Sequence, residues 1–320
     1  MEIQTRSDRS FLTLALQASL RPLKPRLATP EKTYPAGSNK LHPHEHLHKK
    51  VFRYIHVQER KQDGIYVYDM SPKSGLPTAA CRRRMYYFAG GGWQQRPSMQ
   101  HWRFCAELVR KIPGLIISVV SPPLAPESPA AEALPQLNTF YSSVLQQGEQ
   151  AGERTIFGGD SSGGNIVLSL ALQGLTKNDS GVNPDALLII SPAVDLRPMK
   201  VEGPIVRASK MDPVLTVKGH NGEADVWCQQ SDRSDASLSP ITGDMGLLAN
   251  AGIKVIGMTG GYDILTPDAL KLRDKCQQSK VQGAWLQWEK QMHCLPLTFM
   301  YHLPEGVKSK DWVVEQLERI

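Results

Sequence analysis

The sequence predicts an α/β fold: a mostly parallel central sheet with helices on both faces. Three observations lead there. Short apolar runs of strand length, such as 85–88, 115–120, 186–190 and 253–259, alternate with longer stretches of helical periodicity. The stretch from Thr155 to Asn165 runs from apolar residues through glycines flanking a serine into a second apolar run, a strand–tight turn–helix pattern. Gly90, Ser161, Asp263 and His293 each follow the end of a predicted strand. In parallel sheets ligands bind at those carboxyl ends.

The elements follow in order. Residues 1–50 read as an N-terminal arm or lid: a helix over about 8–20, a Pro- and Lys-rich run, then a polar stretch. His42, His44, His46 and His48 alternate there, but Pro43 interrupts them and Glu45 is the one nearby carboxylate, so no metal site is expected. Residues 51–57 and 65–70 alternate apolar and polar side chains around Asp63-Gly64 and predict an antiparallel edge hairpin. The strand at 85–88 leads into Gly90-Gly91-Gly92, whose backbone allows close approach to a ligand. Helices are expected at about 97–111, 130–147, 162–175, 266–279 and 311–320, and a last strand at 283–289. Residues 196–240 lack strong periodicity and read as an insertion over the sheet, which divides a catalytic domain at 51–320. There is no internal repeat.

Composition narrows the function. At 320 residues and 41% hydrophobic, the chain is long enough for one large α/β domain with elaborations. The net charge of +6 comes from scattered basic residues rather than a basic face, which argues against nucleic acid as a partner. Five cysteines at wide spacing, with no C-x-x-C, argue against a disulfide framework. The apolar run 11–20 is too short to span a bilayer and no clean signal-peptide cleavage pattern follows it. The expectation is a cytoplasmic protein with no stable membrane span.

The chemistry centres on Gly159-Asp160-Ser161-Ser162-Gly163, a G-x-S-x-G turn. A serine held in such a turn projects Oγ above the sheet, and the following helix N-terminus aims free N–H groups at the same place. A serine hydroxyl needs a base, and the base needs a partner to hold its tautomer. The chain order Ser161, Asp263, His293 is the order expected of an α/β-hydrolase. Asp263 also reads as a helix N-cap, although Asp268 is better placed for a helix's first turn. Seven of the other eight histidines lie before the nucleophile or in the insertion, and His302 is too near the closing helix. Neither a cofactor nor a metal is needed by such a relay.

These motifs together resemble the hormone-sensitive-lipase-like family of α/β-hydrolases, most closely its fungal branch, from about Val51 to the end. They are 159–165, 124–127, 191–195, 261–268 and 289–293. The resemblance implies Ser161 as nucleophile, Asp263 as acid and His293 as base, with an oxyanion hole from the N–H groups of Gly90, Gly91 and Ser162. It implies a cap, formed by the N-terminal segment and 196–240, over an apolar acyl pocket. The implied substrate is an ester, or related acyl compound, of a hydrophobic small molecule, and some fungal members serve natural-product pathways. Acyl transfer or cyclisation from the same acyl-enzyme, and small-molecule binding without catalysis, are the alternatives. One departure stands out: the family has histidine before the three glycines and this chain has Ala89. The small side chain there either loosens the glycine loop or makes room for a bulky substrate, with Trp93 as one wall.

Overall fold

A computed structural model describes residues 1–24, 40–41, 51–75, 82–177 and 181–320. The alternating histidines and Cys81 lie outside them. The strands are β1 (Glu2–Arg6), β2 (Ile55–Gln62), β3 (Ile65–Pro72), β4 (Arg83–Phe88), β5 (Leu115–Ser121), β6 (Arg154–Asp160), β7 (Ala186–Ile190), β8 (Lys254–Tyr262) and β9 (Gly283–Met292). The α-helices are α1 (Phe11–Leu20), α2 (Met99–Lys111), α3 (Ala130–Gln150), α4 (Ser162–Lys177), α5 (Pro204–Met211), α6 (Val217–Cys228), α7 (Gly246–Asn250), α8 (Thr266–Gln278) and α9 (Pro304–Glu318). Among the described residues they build a nine-stranded sheet in the order β1-β9-β8-β7-β6-β4-β5-β3-β2. Only the pairings of β3, with β2 and with β5, are antiparallel. This is the α/β-hydrolase fold.

The central strands are apolar because both faces are covered. β7 is buried at all five positions. On one face Phe157, Leu187, Ile189 and Val255 pack with residues of α3, α4 and α8. On the other, Ile156, Leu188, Ile190 and Ile256 pack with residues of α2 and α9. Alternation along each strand assigns neighbours to opposite layers.

The first residues depart from the arm expected of 1–50. Glu2–Arg6 add a parallel edge strand to β9, in register from Glu2 opposite Ala284 to Arg6 opposite Trp288. The segment has a single apolar residue, Ile3, so no alternation announced it. Its order comes from β9 and from the Arg6 guanidinium lying 4.2 Å from the centre of the Trp288 ring. α1 docks by its polar side. Ser10 caps it, Glu305 accepts from Ser10 and Thr13, and Gln17 donates to the Lys290 carbonyl at 3.0 Å. Phe11 and Leu12 face outward, 83% and 53% exposed. Lys24 donates to the carbonyls of Ser209 and Asp212, so the N-terminal segment meets the 196–240 insertion. That insertion is anchored in the core through Trp227, Cys228 and Leu238.

Candidate active site

The Ser161 turn owes its shape to its glycines. Ser161, between β6 and α4, has a φ of +53°, a conformation a serine adopts only under constraint. Its N–H donates to the Ile190 carbonyl at the end of β7, and its carbonyl accepts from Asn165 and Ala193. A Cβ at Gly159 would lie 2.5 Å from the Gly163 carbonyl carbon, and one at Gly163 only 1.9 Å from the Phe88 oxygen. Both positions need glycine so that α4 can start directly behind β4 and β6.

Asp263 and His293 meet because β8 and β9 end in a distorted crossing. The pairing of β8 with β9 shifts register between Gly260 and Tyr262. A Cβ at Gly261 would lie 2.0 Å from the Glu289 oxygen, so only glycine permits the close passage. Beyond it, His293 Nδ1 and Asp263 Oδ2 are 2.7 Å apart, with Asp263 fully buried. Oδ1 of Asp263 accepts from the Leu265 N–H at 2.9 Å, so the side chain also caps the turn into α8. Burial would lower the His293 pKa, but the charge and hydrogen bond of Asp263, with Asp212 and Asp160 behind, raise it to about 9. Asp212, just after α5, accepts the Ile264 N–H at 2.9 Å. Burial and the neighbouring Asp263 charge push its carboxyl up to about 6, against three backbone N–H bonds.

The glycine loop is organised differently from the expectation. The Gly90 N–H donates to Asp160 Oδ1 at 3.1 Å and is therefore spent on the protein. A Cβ at Gly90 would also lie 2.9 Å from Ser161 Cβ, which puts this loop directly against Ser161. Among the described residues the N–H groups of Gly91, Gly92 and Ser162 donate to no protein acceptor.

Asp160 is the residue that sequence reasoning passed over. Its carboxylate takes the Tyr87 hydroxyl at 2.7 Å, the Gly90 N–H, His101 Nε2 at 3.2 Å and the Cys294 thiol at 3.4 Å. Burial would raise its pKa; His101, Tyr87 and the Gly90 N–H hold it down to about 2. His101 Nδ1 accepts the Ser98 N–H at 2.9 Å, so the ring presents Nε2–H to the carboxylate. One carboxylate thus joins the glycine loop, β4, α2 and the neighbour of His293 to the neighbour of Ser161. The signal was its place inside the G-x-S-x-G turn. Ala89 packs in the apolar layer with α2 and α9. Trp93 is 4% exposed and stacks on Trp227 of α6, ring centres 5.9 Å apart at 12°, so a cap residue covers one of its faces.

Among the described residues no group of three or more His, Cys, Asp or Glu side chains is arranged to hold a metal. Nor is any described helix long and apolar enough to cross a membrane. The four described cysteines are free thiols.

Comparison with known proteins agrees with this fold. A family model described as alpha/beta hydrolase fold matches residues 85–297. Esterase LipU of Mycobacterium tuberculosis is 30% identical over 238 residues, 73% of this chain and 77% of that protein. Human hormone-sensitive lipase is 32% identical over 145 residues, which are 43% of this chain and 13% of the lipase. A crystal structure of an esterase from the bacterial hormone-sensitive lipase family superposes with a TM-score of 0.77 at 21% identity, covering 98% of this chain and 99% of that one. The family model spans well over half of the chain, and with the relatives it places this protein in the α/β-hydrolase family, among its hormone-sensitive-lipase-like members.

Proposed function

We propose that this protein hydrolyses carboxylic esters of small molecules through an acyl-enzyme on Ser161. The observations that carry the reading are the 2.7 Å Asp263–His293 bond, the serine at φ +53°, and the 3.4 Å contact of Cys294, next to His293, with Asp160, next to Ser161. His293 takes the Ser161 proton as Oγ attacks the ester carbonyl carbon, and returns it to the departing alcohol. Water then attacks the acyl-enzyme with His293 again as base. Asp263 holds the imidazole tautomer and stabilises the imidazolium.

The oxyanion donors in this reading are Gly91, Gly92 and Ser162, with Gly90 replaced by its neighbour because Asp160 occupies its N–H. The relatives' names, an esterase and a lipase, support ester hydrolysis. A role in secondary-metabolite biosynthesis follows only from the resemblance to the fungal branch, and the relatives above are bacterial and mammalian. The test is labelling with a fluorophosphonate. Wild-type protein should label at Ser161 and Ser161→Ala should not; full labelling of the variant elsewhere would remove Ser161 from the mechanism.

A further inference from the structure

The cap helix α6 brings two acceptor groups to the catalytic centre that the triad does not use. Trp227 stacks on Trp93, which clamps α6 over the glycine loop. Glu223, one helical turn before Trp227 on the same face, stands against that loop. A Cβ built on Gly92 would lie 2.4 Å from the Glu223 carboxyl carbon and 2.7 Å from each oxygen. The carboxyl has no hydrogen-bond partner among the described residues. Burial pushes its pKa up to about 7, and the one opposing influence is the charge of His293. A further turn back, His220 is 5% exposed, and its Nε2 is buried without a hydrogen-bond partner.

Burial lowers the His220 pKa to about 4, so the ring is neutral; the Asp195 carbonyl, Asp263 and His293 are among the groups it senses. A neutral imidazole next to a main-chain carbonyl gives that carbonyl its N–H and keeps a lone pair on the other nitrogen. Both side chains therefore offer acceptors beside the oxyanion donors and the base. Unmatched acceptors in a partly desolvated site are costly, and a ligand that supplies donors removes that cost.

We propose that Glu223 and His220 form an acceptor pair that selects esters carrying a hydroxyl or ammonium group near the scissile bond. The inference rests on the reading of Ser161 as the reacting centre. It narrows the substrate class from plainly hydrophobic esters to hydrophobic esters with a hydrogen-bond donor close to the carbonyl.

The test measures binding separately from turnover. Ser161→Ala protein is titrated calorimetrically with propyl butyrate and with its 3-hydroxy and 3-amino derivatives, the donor placed in the acyl chain or in the alcohol. At least one donor-bearing ester should bind about tenfold tighter than propyl butyrate, as expected of a hydrogen bond to a charged or buried acceptor. Adding Glu223→Leu should erase the difference. Glu223→Gln, which keeps the shape and one acceptor oxygen, should lose preference for the amino ester and retain it for the hydroxy ester. Equal affinity for all the esters overturns the proposal, as does a preference that survives Glu223→Leu. Where leucine disrupts α6 by circular dichroism, an amino-ester preference unchanged in Glu223→Gln overturns it instead. Fluorophosphonate labelling of the wild-type protein separates the two ideas. No label at Ser161 with the affinity difference intact sinks the acyl-enzyme and leaves the acceptor pair standing; a label with equal affinities does the reverse.

Discussion

Asp160 anchors the glycine loop at its first glycine. Its carboxylate fixes Gly90 directly and is itself fixed by Tyr87 and His101. Donors aimed at an oxyanion act mainly near the transition state, so loosening them should lower kcat more than it raises KM. Asp160→Asn should therefore cost about 10–100-fold in kcat, less than the removal of a donor outright. A change confined to KM on a short nitrophenyl ester would contradict this role. By the same geometry Ala89→His should give little gain, because the loop already has its anchor and residue 89 packs in the apolar layer. A rise in kcat beyond a few-fold would show that the loop is still loose. In the proposed mechanism His293 sets the pH profile. It works as a base only when neutral, and its carboxylate neighbours raise its pKa from 6.5 to about 9. The acid limb of kcat/KM should thus lie above pH 6.5, with activity rising toward pH 9. A profile already flat from pH 6.5 upward would mean that these carboxylates do not hold the proton on the ring.

At the scale of elements, the sheet crossings rest on positions where no side chain fits. Gly163 is the sharpest case, since a Cβ there would overlap the Phe88 carbonyl at the end of β4. Gly163→Ala should cost about 3 kcal/mol of stability and lower the denaturation midpoint. An unchanged midpoint would show that α4 can slide away from β4 freely. The strands and helices that carry the site were legible because burial on both faces makes their apolar runs continuous. The strand–turn–helix around Ser161 was legible because its sterics demand a specific residue pattern. β1 was not, since a polar edge strand takes its order from its neighbour rather than from its own alternation. The outward face of α1 was not either, because its apolar residues lie on most sides of the helix and its docking contacts are the polar Thr13 and Gln17. Among the candidate site residues, the pairing of Asp263 with His293 was anticipated from their places at strand ends. Asp160's hold on Gly90, the raised Asp212 carboxyl and the approach of Glu223 to Gly92 depend on contacts between elements far apart in sequence, for which no local pattern exists.

At the scale of the molecule, the nine strands among the described residues bring five distant segments together: the glycine loop, the Ser161 turn, the α8 entry, the end of β9 and the α5–α6 segment. The N-terminal segment joins them by donating from Lys24 to the carbonyls of Ser209 and Asp212. The relay requires no metal, so prolonged dialysis against a chelator should leave ester hydrolysis intact; a loss restored by zinc would contradict that. The central claim is that this assembly carries an acyl group on one serine. The direct measurement is rapid acid quenching during turnover of a p-nitrophenyl ester, followed by peptide mass analysis. The account predicts a nitrophenol burst, with the acyl mass on the peptide holding Ser161 and its accumulation in wild-type protein alone when compared with Ser161→Ala. Turnover with no acyl mass on that peptide, or an equal burst from Ser161→Ala, would contradict it.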